Sequence, residues 1–313
     1  MEASCEADVK PNGTGPSMLL LGASSFLGPA LLDAFGGGRA ANTHCKHPVN
    51  GSLFFDTRST RVSDVLAGLP VKPAAAIVLL GILPVSMAAR DPADSAEVNV
   101  RGIIRVIDDA RALGITPVFV SSDAVFGGSH AYWSEDDEPI SILTYDRQKL
   151  EVERHLAALL PPWIIVRLPK LISPERNARC FLSSWVEGFW RRERILYATG
   201  QYFTPAAVPD AARAIAQLVQ ARAQGLYHLG GPERLSRRAL LRAVLKEYRK
   251  FETAMTEVVE CSLRDIRVLE PQPLDTSFRS DRFKADFGTS FRAAGELAPA
   301  AVQSYFAAQD GGK

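Results

Sequence analysis

The chain has 313 residues, with 36 Lys and Arg against 35 Asp and Glu and a formal net charge of +1 at pH 7. A balance this even gives no electrostatic reason to expect nucleic acid or an anionic membrane as a partner. No apolar run approaches the ~20 residues that a membrane-spanning helix needs. The four cysteines include no CxxC pair, so we predict no metal site, no disulfide framework and a cytoplasmic location.

Short apolar runs alternate with helical patterns along the first half of the chain. The runs predict strands at 17–21, 52–55, 75–80, 116–120 and 163–167, and the patterns predict helices at 26–35, 93–113 and 143–159. A helix over 211–224 and a further strand over 225–229 follow. Such alternation is typical of the α/β class, with a Rossmann-type, doubly wound parallel sheet whose ligand site lies at the carboxyl ends of the strands.

Three parts are predicted from these patterns. The polar residues 1–16 are not a signal peptide and are expected to form a flexible leader. Residues 17–170, rejoined by 207–230, form the predicted nucleotide-binding domain. Residues 171–206 and 231–313 form a smaller carboxyl-terminal α/β lobe, which we expect to bind the substrate.

A glycine loop, Gly22-Ala-Ser-Ser-Phe-Leu-Gly28, joins the first predicted strand to the first helix. Glycine allows a tight turn and a close approach to a pyrophosphate, and the helix amino terminus offers free N–H groups. A structural turn could have the same sequence. The loop residues predicted to contact a cofactor are Gly22, Ser24, Ser25, Phe26, Leu27 and Gly28.

The next strand is expected to end near Lys46 and His47, where an acidic residue would select NAD by binding the ribose 2′-hydroxyl. Because no acid is present and both side chains suit a 2′-phosphate, we predict NADP(H) rather than NAD(H). Asp56 could accept from the adenine amino group or cap a helix. Further cofactor contacts are predicted at Thr57, Leu80, Gly81, Ile82, Ser121, Tyr145 and Lys149.

Tyr145 and Lys149 are four residues apart and therefore lie on one face of a predicted helix. A phenol with the ordinary pKa of about 10 is a poor proton donor and base at neutral pH. A fixed ammonium favours the phenolate, so we expect Lys149 to lower the pKa of Tyr145. Lys149 could also hold the hydroxyls of the nicotinamide ribose.

Ser122 and Asn99 complete the predicted catalytic set. Ser122 lies at the carboxyl end of the predicted strand 116–120, where its hydroxyl could bind a substrate carbonyl oxygen. A lone serine at such a position is more often a turn or cap residue. Asn99, on the long preceding helix, is a candidate for positioning a water or a backbone group; a helix-surface role is the alternative.

These motifs, in this order, resemble the extended short-chain dehydrogenase/reductase superfamily, and within it the dTDP-4-dehydrorhamnose reductase-like group. The similarity covers most of residues 17–290 and includes GASSFLG (22–28), VSSDAVFGG (120–128), YDRQK (145–149), GQYFTP (200–205) and PLDTSFRSDRFKADFG (273–288). The resemblance implies a Rossmann-type cofactor domain, a smaller substrate lobe, and a Ser–Tyr–Lys active site matching Ser122, Tyr145 and Lys149. Dimers are common in the group, so a homodimer is a possible assembly.

The resemblance implies an NADP(H)-dependent reductase of a small-molecule ketone, with a nucleotide-linked 4-keto sugar as the substrate class. Candidate substrate contacts are Asp123, Ala124, Trp185, Phe203 and Arg279. The sequence departs from the group's pattern at Ser25, Ala124, Gly128 and Phe203. These departures leave three alternatives open: a non-catalytic NADP-binding regulatory subunit, a sugar epimerase, and a reductase of another carbonyl in secondary metabolism.

Overall fold

The computed structural model describes residues 17–36, 39–82, 85–175, 178, 180–253, 256–265 and 268–310. The predicted leader, residues 1–16, lies outside the described residues. The strands are β1 Met18–Leu21, β2 Ala40–His44, β3 Leu53–Phe54, β4 Ala75–Val78, β5 Thr116–Ser122, β6 Ile164–Leu168, β7 Leu171–Ile172, β8 Ile195–Ala198, β9 Tyr202–Phe203, β10 Ala206–Ala207, β11 Gly225–His228, β12 Leu235–Ser236 and β13 Val258–Cys261.

The helices are α1 Gly28–Phe35, α2 Val62–Leu66, α3 Val85–Arg90, α4 Pro92–Ala96, α5 Ile103–Ala112, α6 Thr144–Ala157, α7 Phe181–Trp190, α8 Val208–Gln220, α9 Arg237–Tyr248, α10 Asp281–Phe287 and α11 Ala294–Asp310. A π-helical turn spans Glu97–Gly102, and 3₁₀ turns span Asp123–Val125 and Leu263–Asp265. In the parts of the chain that the structure describes, no helix is both long and apolar enough to cross a bilayer.

The main sheet has seven strands in the order β3-β2-β1-β4-β5-β6-β11, and every neighbouring pair is parallel. The predicted doubly wound parallel sheet is therefore confirmed. The chain winds outward from β1 to β3, then crosses to the other side of β1 to begin β4. The carboxyl ends of β1 and β4 thus flank the crossover point, where sheets of this type bind their ligands.

Strand residues alternate between two apolar cores, one on each face of the sheet. Met18 and Leu20 face the core covered by α1 and α8, whereas Leu19 and Leu21 face the core covered by α5 and α6. All four side chains are fully buried. Strands covered on both faces need apolar residues at successive positions, which explains the continuous apolar runs in the sequence.

The second lobe has a core of its own, formed by α7, α9 and α11. Phe189, Leu241 and Val302 are buried there. The predicted lobe boundary needs one correction. Residues 231–313 were all expected in this lobe, but Phe283 and Phe291 join the core of the main sheet, because α10 packs beside β11.

The predicted helix over 93–113 is divided into α4, the π-helical turn and α5. A π-helical turn widens the helix locally and is frequent at functional sites. The turn contains Asn99, which is fully buried although it is polar. The wider turn therefore directs an amide side chain into the protein, toward the end of β4.

A buried ion pair holds α6 against the sheet. The Arg167 guanidinium on β6 donates to both carboxylate oxygens of Glu153 on α6, with an Nη2–Oε2 distance of 2.7 Å. Arg167 also donates to Nε2 of His228 on β11 at 3.3 Å. Burial, followed by the nearby Arg167 charge, lowers the pKa of His228 to about 3, so the imidazole is neutral and can accept. The network joins one helix to two adjacent strands.

Replacing Glu153 with alanine would leave the Arg167 charge buried without its partner. We expect the free energy of unfolding to fall by about 3–5 kcal/mol, measured by urea denaturation. The matched control is Arg101→Ala, which removes an exposed ion pair with Glu97 and should leave the free energy of unfolding close to the wild-type value. Equal losses in the two variants would show that the buried pair has no special structural role.

Candidate active site

The glycine loop forms a tight turn tied to β2. Gly22 adopts a positive φ of 96°, and its N–H donates to the Thr43 hydroxyl at 3.2 Å. A Cβ on Gly28 would lie 2.0 Å from the Ala23 carbonyl oxygen, so only glycine allows this approach between loop and helix. Leu27 was predicted to contact a cofactor, but its side chain is 4% exposed in the main core, which leaves only its backbone available.

Two buried hydroxyls at the crossover have no protein partner among the described residues. They are the Oγ atoms of Ser25, in the loop, and of Ser121, near the end of β5. A buried hydroxyl without a hydrogen bond is costly unless a ligand or water satisfies it. Together with the glycine turn, these donors fit the phosphate and ribose oxygens of a dinucleotide.

A pocket of about 630 Å³ opens on the α1 side of the same loop. Residues 24–26 line one wall, and Ser173 and Glu175 line another. Its described lining includes none of Ser122, Tyr145 and Lys149. We therefore locate the chemistry in the crossover cleft rather than in this larger space.

Exposed cations lie beyond the carboxyl end of β2. Lys46 and His47 follow the strand and are exposed. The charge of Arg58 is close enough to lower the pKa of Cys45, against the larger effect of burial, which raises it. Arg58 was not predicted, although it follows the apolar run of β3 directly. This end of the sheet therefore has exposed positive charge at Lys46, whereas Arg58 is paired with Asp94 at 2.7 Å.

Asp56 and Thr57 have structural bonds that the sequence left undecided. The Asp56 carboxylate accepts from the Arg58 N–H at 2.9 Å, so Asp56 caps the turn after β3. Thr57 is buried, and its carbonyl oxygen accepts from Arg105 at 2.6 Å. Asp56 thus caps a turn, whereas the helix cap that the sequence allowed is at Arg61, the N-cap of α2.

The Tyr145 hydroxyl lies at the crossover cleft. A Cβ built on Gly81, which follows β4, would lie 3.5 Å from the Tyr145 hydroxyl and 3.4 Å from Oδ1 of Asn99. Gly81 has a φ of 156° and no side chain, so the phenol can approach the backbone closely. Of the predicted residues Leu80, Gly81 and Ile82, Gly81 thus lies against the Tyr145 phenol, and the Ile82 N–H is bonded to Asn99.

Asn99 holds this stretch of backbone in place. Its Oδ1 accepts from the Ile82 N–H at 2.7 Å, and its Nδ2 donates to Gln148 at 2.8 Å. Gln148 in turn donates to the Ser95 hydroxyl at 2.9 Å. Asn99 is therefore a positioning residue for backbone, one of the roles predicted for it. Gln148 was missed; its place within the YDRQK motif, three residues after Tyr145, was the available signal.

Lys149 is buried one helical turn behind Tyr145. Its ammonium donates to the Val120 carbonyl oxygen at 2.8 Å and lies 5.5 Å from the centre of the Tyr145 ring. Burial lowers the pKa of Lys149 to about 8, although Asp146 and Glu153 act to raise it. The group remains largely protonated at neutral pH, with N–H donors besides the one bonded to Val120.

The pKa of Tyr145 differs from the sequence-based prediction. We expected Lys149 to lower it, but burial of the phenol raises it above its ordinary value, and the Asp146 charge adds to the increase. The Lys149 ammonium is directed to the Val120 carbonyl, so it does not offset the loss of water around the phenol. Tyr145 is consequently held in its protonated form at neutral pH.

Ser122 caps the 3₁₀ turn that follows β5. Its Oγ accepts from the Ala124 N–H at 3.1 Å, which is the structural role that the sequence also allowed. The hydroxyl donates to Oδ1 of Asp123 in a long hydrogen bond of 3.4 Å. Asp123 was predicted to contact substrate, but it is 2% exposed and accepts from the Thr276 hydroxyl at 2.5 Å. It therefore joins the carboxyl-terminal segment to the end of β5.

Asp146 is a buried acid that the sequence analysis did not single out. It follows Tyr145, is 1% exposed, and its Oδ1 has no hydrogen-bond partner among the described residues. Burial raises the pKa of Asp146 to about 6; Lys170, the Ser122 hydroxyl and Lys149 act to lower it, and Asp123 acts to raise it. A second titratable group thus lies beside the Ser122 hydroxyl.

The predicted substrate contacts are only partly brought together. Ala124 and Phe203 line one small pocket between the lobes. Trp185 and Arg279 do not line it. Trp185 is 7% exposed in the core of the second lobe, packed against Phe181. Arg279 has an exposed side chain paired with Asp281, so its charge lies outside the pocket.

Residues 17–306 match the family model described as RmlD substrate binding domain. A dTDP-4-dehydrorhamnose reductase of Sinorhizobium fredii is 23% identical over 239 residues, covering 74% of this chain and 79% of that protein. A UDP-glucose 4-epimerase of Mycolicibacterium smegmatis is 30% identical over 140 residues, covering 39% of this chain and 44% of that protein. The crystal structure of a dTDP-4-dehydrorhamnose reductase from Bacillus anthracis in complex with NADP has a TM-score of 0.78 at 19% identity, covering 94% of this chain and 100% of that chain.

Asp146→Asn should stabilise the protein in a pH-dependent way. Since the folded-state pKa of about 6 exceeds the ordinary value of about 3.9, the wild-type protein loses stability as pH rises through this interval. At about 1.4 kcal/mol per pKa unit, the loss approaches ~3 kcal/mol above pH 7. We expect the variant to unfold at higher urea concentration at pH 8, with the difference shrinking toward pH 4. The control is Asp136→Asn, at an exposed carboxyl. A pH-independent difference for Asp146→Asn would contradict the assignment.

Proposed function

Because this chain belongs to the RmlD substrate-binding domain family, we propose that it is an NADP(H)-dependent oxidoreductase that reduces a ketone. We infer that the substrate class is a nucleotide-linked 4-keto sugar and that Tyr145 is the proton donor. The observation that carries the proposal is the approach of the Tyr145 hydroxyl to Gly81 at the crossover cleft, with Lys149 buried one turn behind it.

The cleft has the donors that an NADP(H) molecule needs. Gly22 and Gly28 leave room for a pyrophosphate, and the partnerless hydroxyls of Ser25 and Ser121 offer hydrogen bonds to it and to ribose. Lys46 and His47 are suited to the 2′-phosphate. When bound, NADPH would supply the hydride that adds to the carbonyl carbon.

Tyr145 gives the accompanying proton to the carbonyl oxygen, so the C=O group becomes CH–OH. A phenol whose pKa is raised by burial is protonated at neutral pH, which suits proton donation. The Ser122 hydroxyl orients the carbonyl by donating to its oxygen. Lys149 contributes a positive charge behind the phenol and N–H donors for the ribose hydroxyls.

Two other functions are separated by the same assay. A regulatory subunit of this fold would bind NADPH without turnover and would associate with a partner enzyme. An epimerase would return the hydride to its substrate, so no net oxidation of NADPH would be seen. The partial match to a UDP-glucose 4-epimerase makes product stereochemistry a useful second measurement.

Tyr145→Phe removes the proposed proton and keeps the ring. We expect kcat for reduction of a dTDP-linked 4-keto sugar to fall by about 10²–10⁴-fold, with the dissociation constant for NADPH near the wild-type value. Absorbance of NADPH follows turnover, and its fluorescence follows binding. Retained turnover would contradict the role of Tyr145. Absence of turnover in wild-type protein that binds NADPH would favour the regulatory alternative.

Lys46→Ala should weaken NADPH binding by about tenfold, the loss of one hydrogen bond to a charged group. NADH has no 2′-phosphate, so its dissociation constant should not change. The matched control is Lys246→Ala, an exposed lysine on α9 in the second lobe. Equal weakening for NADPH and NADH would place Lys46 away from the 2′-phosphate.

A further inference from the structure

A small polar pocket lies between the two lobes, directly beside the catalytic residues. Its volume is about 40 Å³. Ala124 and Leu143, on one side, are each two residues from a catalytic group, Ser122 and Tyr145 respectively. Lys170, which follows β6, lies on the same side, and Arg237, the first residue of α9, lies opposite. A group in this pocket would be close to the carbonyl that Ser122 and Tyr145 hold.

Within the described part of the chain, the two cations of this pocket form no ion pair with a carboxylate. Among the described residues, no Asp or Glu oxygen lies within 4 Å of the Lys170 ammonium or the Arg237 guanidinium. The nearby Arg234, in contrast, is paired with Asp275 at 2.5 Å. The Arg237 Nε donates to the Gln201 amide oxygen at 2.8 Å, a neutral acceptor. The Arg237 side chain is partly buried, and this burial lowers its pKa.

The positive charges of Lys170 and Arg237 are not balanced by a neighbouring anion among the described residues. A cation removed from water without an anionic partner costs free energy, and a second cation in the same pocket adds repulsion. Lys170 lowers the pKa of Asp146 more than any other charge does, but no ion pair joins the two. An anion entering the pocket would satisfy both cations at once.

The size of the pocket restricts the anion. A buried water needs roughly 10–15 Å³ of such space, so the pocket holds a group of about three non-hydrogen atoms. A carboxylate has three, whereas a nucleotide or its diphosphate is far larger. The side chains at its catalytic end, Ala124 and Leu143, are apolar and offer no other site for charge.

We propose that Lys170 and Arg237 bind a carboxylate of the substrate, one or two carbons from the carbonyl that is reduced. The substrate class is thereby narrowed to keto sugars of the uronic acid type. The inference rests on the proposed function, because Ser122 and Tyr145 define where the carbonyl lies. Gln201, held by Arg237 and by its own bond to the Pro273 carbonyl at 3.3 Å, fixes the guanidinium in the pocket.

Equilibrium binding to the NADP⁺-loaded protein tests this subsite without requiring turnover. The probes are UDP-glucuronic acid and UDP-glucose, which share base and diphosphate and differ in the carboxylate. We expect wild-type protein to bind UDP-glucuronic acid at least about tenfold more tightly than UDP-glucose, which is the effect of one hydrogen bond to a charged group. Calorimetric titration gives both constants.

Arg237→Gln and Lys170→Met should each weaken the binding of UDP-glucuronic acid by about tenfold or more. The affinity for UDP-glucose should stay at its wild-type value. The control is Arg238→Gln, the adjacent residue of α9, whose side chain is exposed and pairs with Glu260. Thermal unfolding verifies that each variant is folded; two separate variants keep the test usable if one is not.

Three outcomes would overturn the proposal. If the two variants bound both probes equally more weakly, Lys170 and Arg237 would contact the diphosphate and not the carboxylate. Unchanged binding of both would remove the pocket from the substrate site. Equal affinity of wild-type protein for the two probes, including no measurable binding of either, would show that the carboxylate is not recognised. The reductase proposal is tested by a different measurement, the oxidation of NADPH by wild-type protein and by Tyr145→Phe, so the two proposals can fail independently.

Discussion

The hydrogen bond from the Ile82 N–H to the Asn99 amide oxygen fixes the place where the phenol meets the sheet. It holds the backbone after β4 in the conformation that lets the Tyr145 hydroxyl rest against Gly81. Asn99 can reach this backbone because the π-helical turn directs its side chain inward. Gln148, on the same helix as Tyr145, closes the chain of bonds, so the phenol and the strand end are positioned by one network.

A second network holds the same helix from its far side. Glu153 and Arg167 fasten α6 to β6 one turn beyond Lys149, where water is excluded and an ion pair of this geometry is rigid. The acid also acts on Lys149, raising its pKa against the effect of burial. The structural pair thus has an electrostatic consequence for the site: it helps Lys149 remain charged near neutral pH.

Local patterns were sufficient to predict the fold and the placement of the central residues. Parallel strands buried on both faces give continuous apolar runs, and the spacing of Tyr145 and Lys149 requires only a helix. Trp185 packs in a core rather than in the small pocket, because an aromatic residue has the same sequence signature in both places. Arg279 is exposed and pairs with Asp281, a contact that no motif indicates. Lys170 and Arg237 were not predicted because they are 67 positions apart and meet only through the packing of two lobes.

The pKa of Tyr145 was mispredicted for a related reason. The spacing of a phenol and an ammonium specifies how near they are, but their effect depends on how much water both have lost and on what else the ammonium binds. Lys149 is bonded to the Val120 carbonyl, and Asp146 follows the phenol directly, so the two effects that raise the pKa dominate. Burial cannot be derived from a four-residue interval, because the side chains that exclude water come from distant segments.

The charge of Asp146 and the orientation of the Ser122 hydroxyl are coupled, since a hydroxyl has a single proton. Ser122 already uses an acceptor site for the Ala124 N–H, and its proton can go to an acid or to a substrate oxygen. Oδ2 of Asp123 accepts from Thr276 and its Oδ1 accepts from Ser122 at 3.4 Å, whereas the Ser122 hydroxyl also acts to lower the pKa of Asp146. When Asp146 is protonated it no longer competes as a carboxylate, and it can itself donate to Ser122. In the proposed mechanism, the ionisation of Asp146 would therefore influence how readily Ser122 donates to a carbonyl oxygen.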